Sequence, residues 1–267
     1  MKLAITGSSS GIGYALAVSL LNEGHEVWGI ARSNQLELSK TFPKTFHSSI
    51  CDVSELKDLE VVVNSMSKFW GKLDGLVTCA GIQGEIGRTL TTDPTQWTKT
   101  VTANLSGTYN TLRILYPLLQ KSDYRIKVIC FSGGGATKAR SHFSAYAASK
   151  TAIVRLIETI AEEEKTSVLD INVVAPGAIN TRLTDEVIRL GASVVGEAEY
   201  ASAVKQKENG GQSIANVIAL IHWLLSDQSN GISGKLISAQ WDDFTQFKAN
   251  EGPLKNPEAF TLRRITP

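Results

Sequence analysis

Seven residues, Gly7-Ser8-Ser9-Ser10-Gly11-Ile12-Gly13, sit directly after the apolar run Leu3-Ala4-Ile5 and open a helical stretch from Tyr14 to Glu23. A strand, a glycine turn and a helix in that order make a dinucleotide-binding element. Gly7 takes backbone angles that a side chain forbids. Gly11 and Gly13 lack the Cβ atoms that would hold a pyrophosphate and the strand at a distance. The free N–H groups and positive dipole end of the helix behind them then face the phosphates. Ser9 and Ser10 add hydroxyl donors. A purely structural strand-to-helix turn is the alternative, and the rest of the chain decides between the two.

Beyond Glu23 the chain repeatedly alternates short apolar runs with longer amphipathic segments. Strands are expected at His25–Ile30, Thr45–Ile50, Leu73–Cys79, Ile126–Phe131, Val168–Ala175 and Lys235–Ser238. Helices are expected at Glu55–Phe69, from Asp93-Pro94 toward Leu119, at Phe143–Glu164 and at Ser213–Leu225. This pattern predicts an α/β fold: one doubly wound, Rossmann-type parallel sheet of about seven strands with helices on both faces. No Pro/Gly/Ser-rich linker divides the 267 residues. We therefore expect a single domain over residues 1–240 and a tail over 241–267, partly irregular around Pro253, Pro257 and Pro267. The segment 183–211 is expected to cover the substrate as a helical lid or a loop. In it Val187, Leu190 and Val194 fit one helical face.

Net charge is +1, with basic residues scattered, so no electrostatic case exists for nucleic acid or an anionic membrane. No stretch approaches a membrane span, and no signal peptide is visible. Cys51, Cys79 and Cys130 show no paired or metal-ligand spacing. Buried free thiols in a reducing, cytoplasmic setting are expected, with no metal.

Tyr146 and Lys150 are four apart in a predicted helix and so share a face. A phenol ordinarily ionises near pH ~10, and a nearby ammonium draws that toward the working range. Taken with the turn at Thr6-Gly7-x-x-x-Gly11-Ile12-Gly13, the run Ser144-Ala145-Tyr146-Ala147-Ala148-Ser149-Lys150 resembles the short-chain dehydrogenase/reductase family, in its classical branch. The likeness extends from Thr6 to about Ser238.

The resemblance implies an oxidoreductase that moves a hydride between a nicotinamide and a carbonyl or secondary alcohol. In it Tyr146 is the acid/base, Lys150 lowers the phenol's pKa and grips the ribose, and Asn104 supports a proton-relay water. Asp52 and Val53 would meet the adenine. Ala80 and Gly81 would line the cofactor after the fourth strand. Pro176 and Gly177 belong to the segment closing over the nicotinamide, with the Ile179 backbone and Thr181 hydroxyl on the carboxamide. The second strand ends Ala31-Arg32, with no acid to hold a free ribose 2′-hydroxyl and an arginine able to fork onto a 2′-phosphate, which favours NADP(H) over NAD(H). Family members usually pair through the two long helices, so a homodimer or homotetramer is expected.

Two departures stand out. Cys79 replaces the family's asparagine before Ala80-Gly81. The hydroxyl expected thirteen residues before the tyrosine is absent, because residue 133 is glycine. Ser132 is the nearest stand-in, though adjacent strand side chains point to opposite faces. An alternative class is therefore open: a dinucleotide-binding sensor or scaffold subunit with little turnover.

Overall fold

The computed structural model describes residues 1–264. Seven strands form it: β1 Lys2–Thr6, β2 Glu26–Ala31, β3 Phe46–Ile50, β4 Gly75–Thr78, β5 Ile126–Phe131, β6 Leu169–Ala175 and β7 Leu236–Ser238. They lie in one sheet in the order β3-β2-β1-β4-β5-β6-β7, and every pairing is parallel. The order reverses beside β1, so the first and fourth strands flank a switch point where such sheets bind ligands.

The helices are α1 Gly11–Asn22, α2 Leu36–Thr41, α3 Leu56–Phe69, α4 Pro94–Val101, α5 Gly107–Leu119, α6 Ser144–Glu163, α7 Arg182–Leu190, α8 Ala192–Val195, α9 Glu197–Glu208 and α10 Ile214–Leu225. Two apolar layers result. On one face Leu16, Leu20 and Leu21 of α1 join Val217, Leu220 and Leu224 of α10 against the sheet. On the other, Leu59 and Met66 of α3, Leu112 and Leu115 of α5, and Ile153 and Ile157 of α6 do the same. The central strands β1, β4, β5 and β6 are buried along almost their whole length because both sheet faces are covered.

Three differences from the sequence expectation have physical causes. The six-residue α2 escapes periodicity because Leu38 is its one buried residue. The expected continuous helix from Pro94 is interrupted by a π-helical turn at Thr102–Ser106. The covering segment is helical, but in three pieces. Gly191 ends α7 and Gly196 ends α8, so Val187 and Val195 turn inward while Val194 stays exposed. Asp93 caps α4 as expected, accepting from the Thr95 N–H at 2.8 Å with Pro94 next in line.

The tail returns to the body. Phe247 and Leu254 are buried in the α1/α10 layer, and Phe244 and Phe247 pack on Trp223, whereas Trp241 is 79% exposed. Pro267 lies outside the described residues. Among the described residues no helix is long and apolar enough to cross a membrane.

Candidate active site

A cavity of about 1900 Å³ runs along the carboxyl ends of the strands. Its floor under the glycine turn is set by close approach. Gly7 sits at φ +72°, and a Cβ there would lie 2.8 Å from the Ala80 nitrogen. A Cβ on Gly13 would lie 2.5 Å from the Gly7 carbonyl oxygen. Only glycines let α1 pack this tightly on the turn. Ser10 precedes α1 without capping it by its side chain, and the helix's first turn carries no acid. The helix's leading N–H groups and positive end therefore lack a competing internal anion. Gly7, Ser9, Ser10, Gly11, Ile12 and Gly13 all line the cavity. Ser8 does not; it is buried and its hydroxyl donates to Gln35 Oε1 at 2.6 Å.

At the end of β2, Arg32 is exposed at the cavity edge and faces no acid from its own strand end. Asp52 and Val53 extend from β3 into the same cavity. Burial disfavours the Asp52 carboxylate, but bonds from the Ser54 hydroxyl and N–H, with Arg32 and Lys99 nearby, hold it below its ordinary value. Val53 is largely packing: it fills the space left by Gly107 at the start of α5. Ala80, whose N–H donates to Thr6 Oγ1, and Gly81 form the wall after β4.

The catalytic candidates converge. Tyr146 and Lys150 are 8% and 6% exposed on the buried face of α6, with the lysine Nζ 5.8 Å from the tyrosine ring centroid. Asn104 is fully buried in the π-helical turn. It accepts from the Ile82 N–H at 2.8 Å, donates to the Ile82 carbonyl at 2.9 Å, and donates to Ser149 Oγ at 3.1 Å. Its side chain thus joins the wall after β4 to α6, beside Lys150. The Tyr146 hydroxyl has no hydrogen-bond partner among the described residues.

Electrostatics differ from the simple expectation. Lys150 donates to the Phe131 carbonyl at 3.1 Å, and burial pulls its pKa down to about 8. Burial pushes the Tyr146 phenol up, and the nearby Arg140 guanidinium opposes this. Burial likewise raises the thiols of Cys51, Cys79 and Cys130, which disfavours their thiolate forms.

Position 133 is the other finding. A Cβ on Gly133 would lie 2.8 Å from Tyr146 Cζ and closer still to its hydroxyl. The phenol thus occupies the space in which a side chain at 133 would stand. Ser132 lines the cavity, 4% exposed, and its hydroxyl has no partner among the described residues.

Pro176, Gly177, Ile179 and Thr181 close the cavity beyond β6. The Ile179 backbone, expected to meet a ligand, is partly engaged by its own neighbours in the chain. Its N–H donates to the Gly177 carbonyl and its carbonyl accepts from Thr184 Oγ1, so only the carbonyl's second lone pair is free. Thr181 Oγ1 accepts from the Leu183 N–H as the cap of α7, leaving its own proton to donate. Sequence reasoning missed the braces: Gln212 accepts from the Ala178 N–H at 2.6 Å, and Gln240 donates to the Pro176 carbonyl at 2.9 Å. It also missed Gln83, whose Nε2 donates to the Leu183 carbonyl while its buried Oε1 has no partner. Polar residues in loops carry no periodic signal that would have marked them.

A switch-point cavity, an uncapped helix start behind a glycine turn, and a buried tyrosine–lysine pair define a dinucleotide-binding α/β oxidoreductase. A family model described as enoyl-(acyl carrier protein) reductase matches residues 7–240. The chain belongs to the short-chain dehydrogenase/reductase family. It is 30% identical over 254 residues to a tropinone reductase homolog of Datura stramonium, covering 89% of each chain. It is 28% identical to levodione reductase of Leifsonia aquatica, over 87% of this chain and 90% of that one. The solved structure of levodione reductase superimposes with a TM-score of 0.78 at 26% identity, over 92% of this chain and 98% of the other.

Proposed function

We propose that this protein is an NADP(H)-dependent oxidoreductase acting on a small carbonyl compound or the corresponding secondary alcohol. The observation that carries the reading is the Tyr146 hydroxyl: unpartnered, on the cavity wall, one helical turn from a buried lysine. A bound nicotinamide dinucleotide supplies hydride chemistry in such sites. The residues present fit that group: the glycine turn and the start of α1, with no side-chain cap and no acid in its first turn, line the cavity.

In this reading Gly11, Ile12 and Gly13 offer backbone N–H groups to the pyrophosphate, with the Ser9 and Ser10 hydroxyls beside them. Arg32 meets a 2′-phosphate. Asp52 and Val53 bound the adenine end, and Ala80 and Gly81 the ribose. Lys150 would hold the nicotinamide ribose, and Asn104 fixes the wall beside it. Pro176, Gly177, Ile179 and Thr181 hold the carboxamide end. Tyr146 donates its proton to the substrate oxygen in reduction and accepts it in oxidation, within the reach such transfers need. Ser132, whose hydroxyl is on the cavity wall, is the candidate to support that oxygen, with Thr137 of the same cavity as the other hydroxyl. Cover comes from α7, α8 and α9, whose Val187, Val195 and Ala203 pack with Tyr146, Phe143 and Ile86. We also propose that copies associate through the outer faces of α5 and α6.

The test is steady-state reduction of a panel of aldehydes, ketones and ketoses with NADPH and with NADH, beside Tyr146→Phe. The expected result is turnover that falls about a thousandfold in the variant, the size of a lost general acid, with NADPH still bound. Tight NADPH binding without turnover across the panel would instead make this a dinucleotide-binding sensor or scaffold.

A further inference from the structure

The wall of the cavity beside Tyr146 is the run Gly133-Gly134-Gly135 and the loop that leads from it to α6. One side chain of that loop folds back over the phenol. The Arg140 guanidinium carbon lies 3.8 Å from the Phe143 ring centroid and 5.7 Å from that of Tyr146. Its Nε donates to Glu199 Oε1 at 3.0 Å, and a second nitrogen donates to the same oxygen. The glycine run makes this place available. A Cβ on Gly134 would lie 3.5 Å from an Arg140 terminal nitrogen, and one on Gly135 would lie 3.2 Å from the Arg140 Cβ.

We propose that Arg140 is a positioning residue for the proton-transferring phenol: its permanent charge, braced by Glu199 of α9 and by the Phe143 ring, favours the deprotonated Tyr146 where position 133 has no side chain to help. The inference rests on the reading of Tyr146 as the acid/base group. It adds that the brace belongs to the substrate-covering segment, so the phenol is readied for transfer when α9 is in place.

Other charged groups also surround the phenol. Lys150, on its own helix, lies equally close, with Nζ 5.8 Å from the Tyr146 ring centroid, and donates to the Phe131 carbonyl, so Arg140 adds to the lysine rather than replacing it. Lys138 and His142 of the same loop face the cavity, and His142 Nδ1 is engaged with the Val194 carbonyl of α8. From α7 come Arg182, Asp185, Glu186 and Arg189, from α9 Glu197, and beyond β7 Asp242. Glu85 lies in the loop that carries Ile86, and the nearby thiols are neutral. From the loop between β5 and α6, the Arg140 guanidinium is the cation placed over the Tyr146 ring, and it opposes the effect of burial on the phenol. A guanidinium stacked on aromatic rings is weakly hydrated and stays charged throughout the working pH range.

The test reads the phenol itself and needs no substrate. Protein labelled at tyrosine 13Cζ is titrated by NMR, with the Tyr146 signal assigned by its loss in Tyr146→Phe. Arg140→Gln is expected to raise the Tyr146 midpoint by about half a pH unit or more, the scale of a nearby charge. Glu199→Gln, which keeps an acceptor but removes the counter-charge, is expected to lower it. Arg140→Lys keeps most of the wild-type midpoint and guards against misfolding of the glutamine variant. The corresponding limb of the pH–kcat/KM profile moves in the same order. An unchanged midpoint in folded Arg140→Gln, or a wild-type phenol that stays protonated until alkaline unfolding, overturns the proposal. Neither result bears on whether Tyr146→Phe abolishes turnover, which tests the enzymatic reading separately.

Discussion

The two ends of β5 and β6 bury charge in opposite ways. At the amino ends, Lys127 and Asp170 are 2% exposed and face each other across the strand pair. Asp170 accepts from Arg125 through two nitrogens at 2.7 and 2.8 Å, from Lys127 at 2.9 Å and from the Gly231 N–H at 3.2 Å. Lys127 also donates to Ser229 Oγ at 2.9 Å. At the carboxyl ends, among the described residues, Tyr146 has no partner, Ser132 has none, Gln83 Oε1 has none, and Lys150 has one carbonyl. The first cluster is closed: its donors and acceptors are consumed by the fold. The second is open, holding capacity in reserve for a ligand. A buried polar group without a partner costs about 1–3 kcal/mol, so an open set persists where function uses it.

This contrast can be broken first at the closed end. Asp170→Ala strands two cations and is expected to cost about 3–5 kcal/mol of stability. Urea unfolding measures this, and turnover per folded molecule should be unchanged. At the open end the largest effect belongs to Gly133→Ser. Restoring the hydroxyl displaces the Tyr146 ring, and turnover is expected to fall about tenfold to a hundredfold, as for a misplaced catalytic group. Steady-state kinetics decides, and a faster variant would show that the ring has room to retreat. Next is Arg32→Ala, expected to reduce the preference for NADPH over NADH about tenfold, the worth of one charged hydrogen bond. Nucleotide titrations monitored by fluorescence read it out.

The smallest effect is a pH slope. The Lys150 pKa, about 8 in the fold, lies below its unfolded value of ~10.4. Between these values the unfolded chain binds more protons, so stability of the ligand-free protein rises with pH there, by at most ~1.4 kcal/mol per unit. Below pH ~8 this group contributes no slope. Lys150→Met should remove the rise, measured as unfolding midpoints at pH 8, 9 and 10.

The strand and helix framework was readable because its signals are local and periodic. Even the edge strand at Phe46–Ile50 shows its alternation, with Ile50 71% exposed. The glycine turn, Tyr146, Lys150, Asn104 and the Pro176–Thr181 segment were readable as motifs, and the fold gathers all but the buried Asn104 along one cavity. What could not be read was made by the fold. The π-helical turn at Thr102–Ser106 inserts a residue that periodicity cannot register. Arg140 beside Tyr146 is bonded to Glu199, fifty-nine positions away, a pairing that no local pattern marks. That residue 133 is glycine was plain, but that the phenol had moved into its space was not.

The returning tail also settles how one margin of the sheet meets water. β7 is an edge strand, and the Leu236 N–H that points away from β6 donates to the Phe260 carbonyl at 2.7 Å. The Lys235 ammonium fastens the same stretch through the carbonyls of Pro257 and Ala259, and Glu158 receives the Leu262 N–H. An unguarded margin of this kind is a template on which a second chain can add its own strand and seed aggregates. A chain cut after Ser238 would expose that template and also strip Phe247 and Leu254 from the α1/α10 layer, so both solubility and stability are expected to fall.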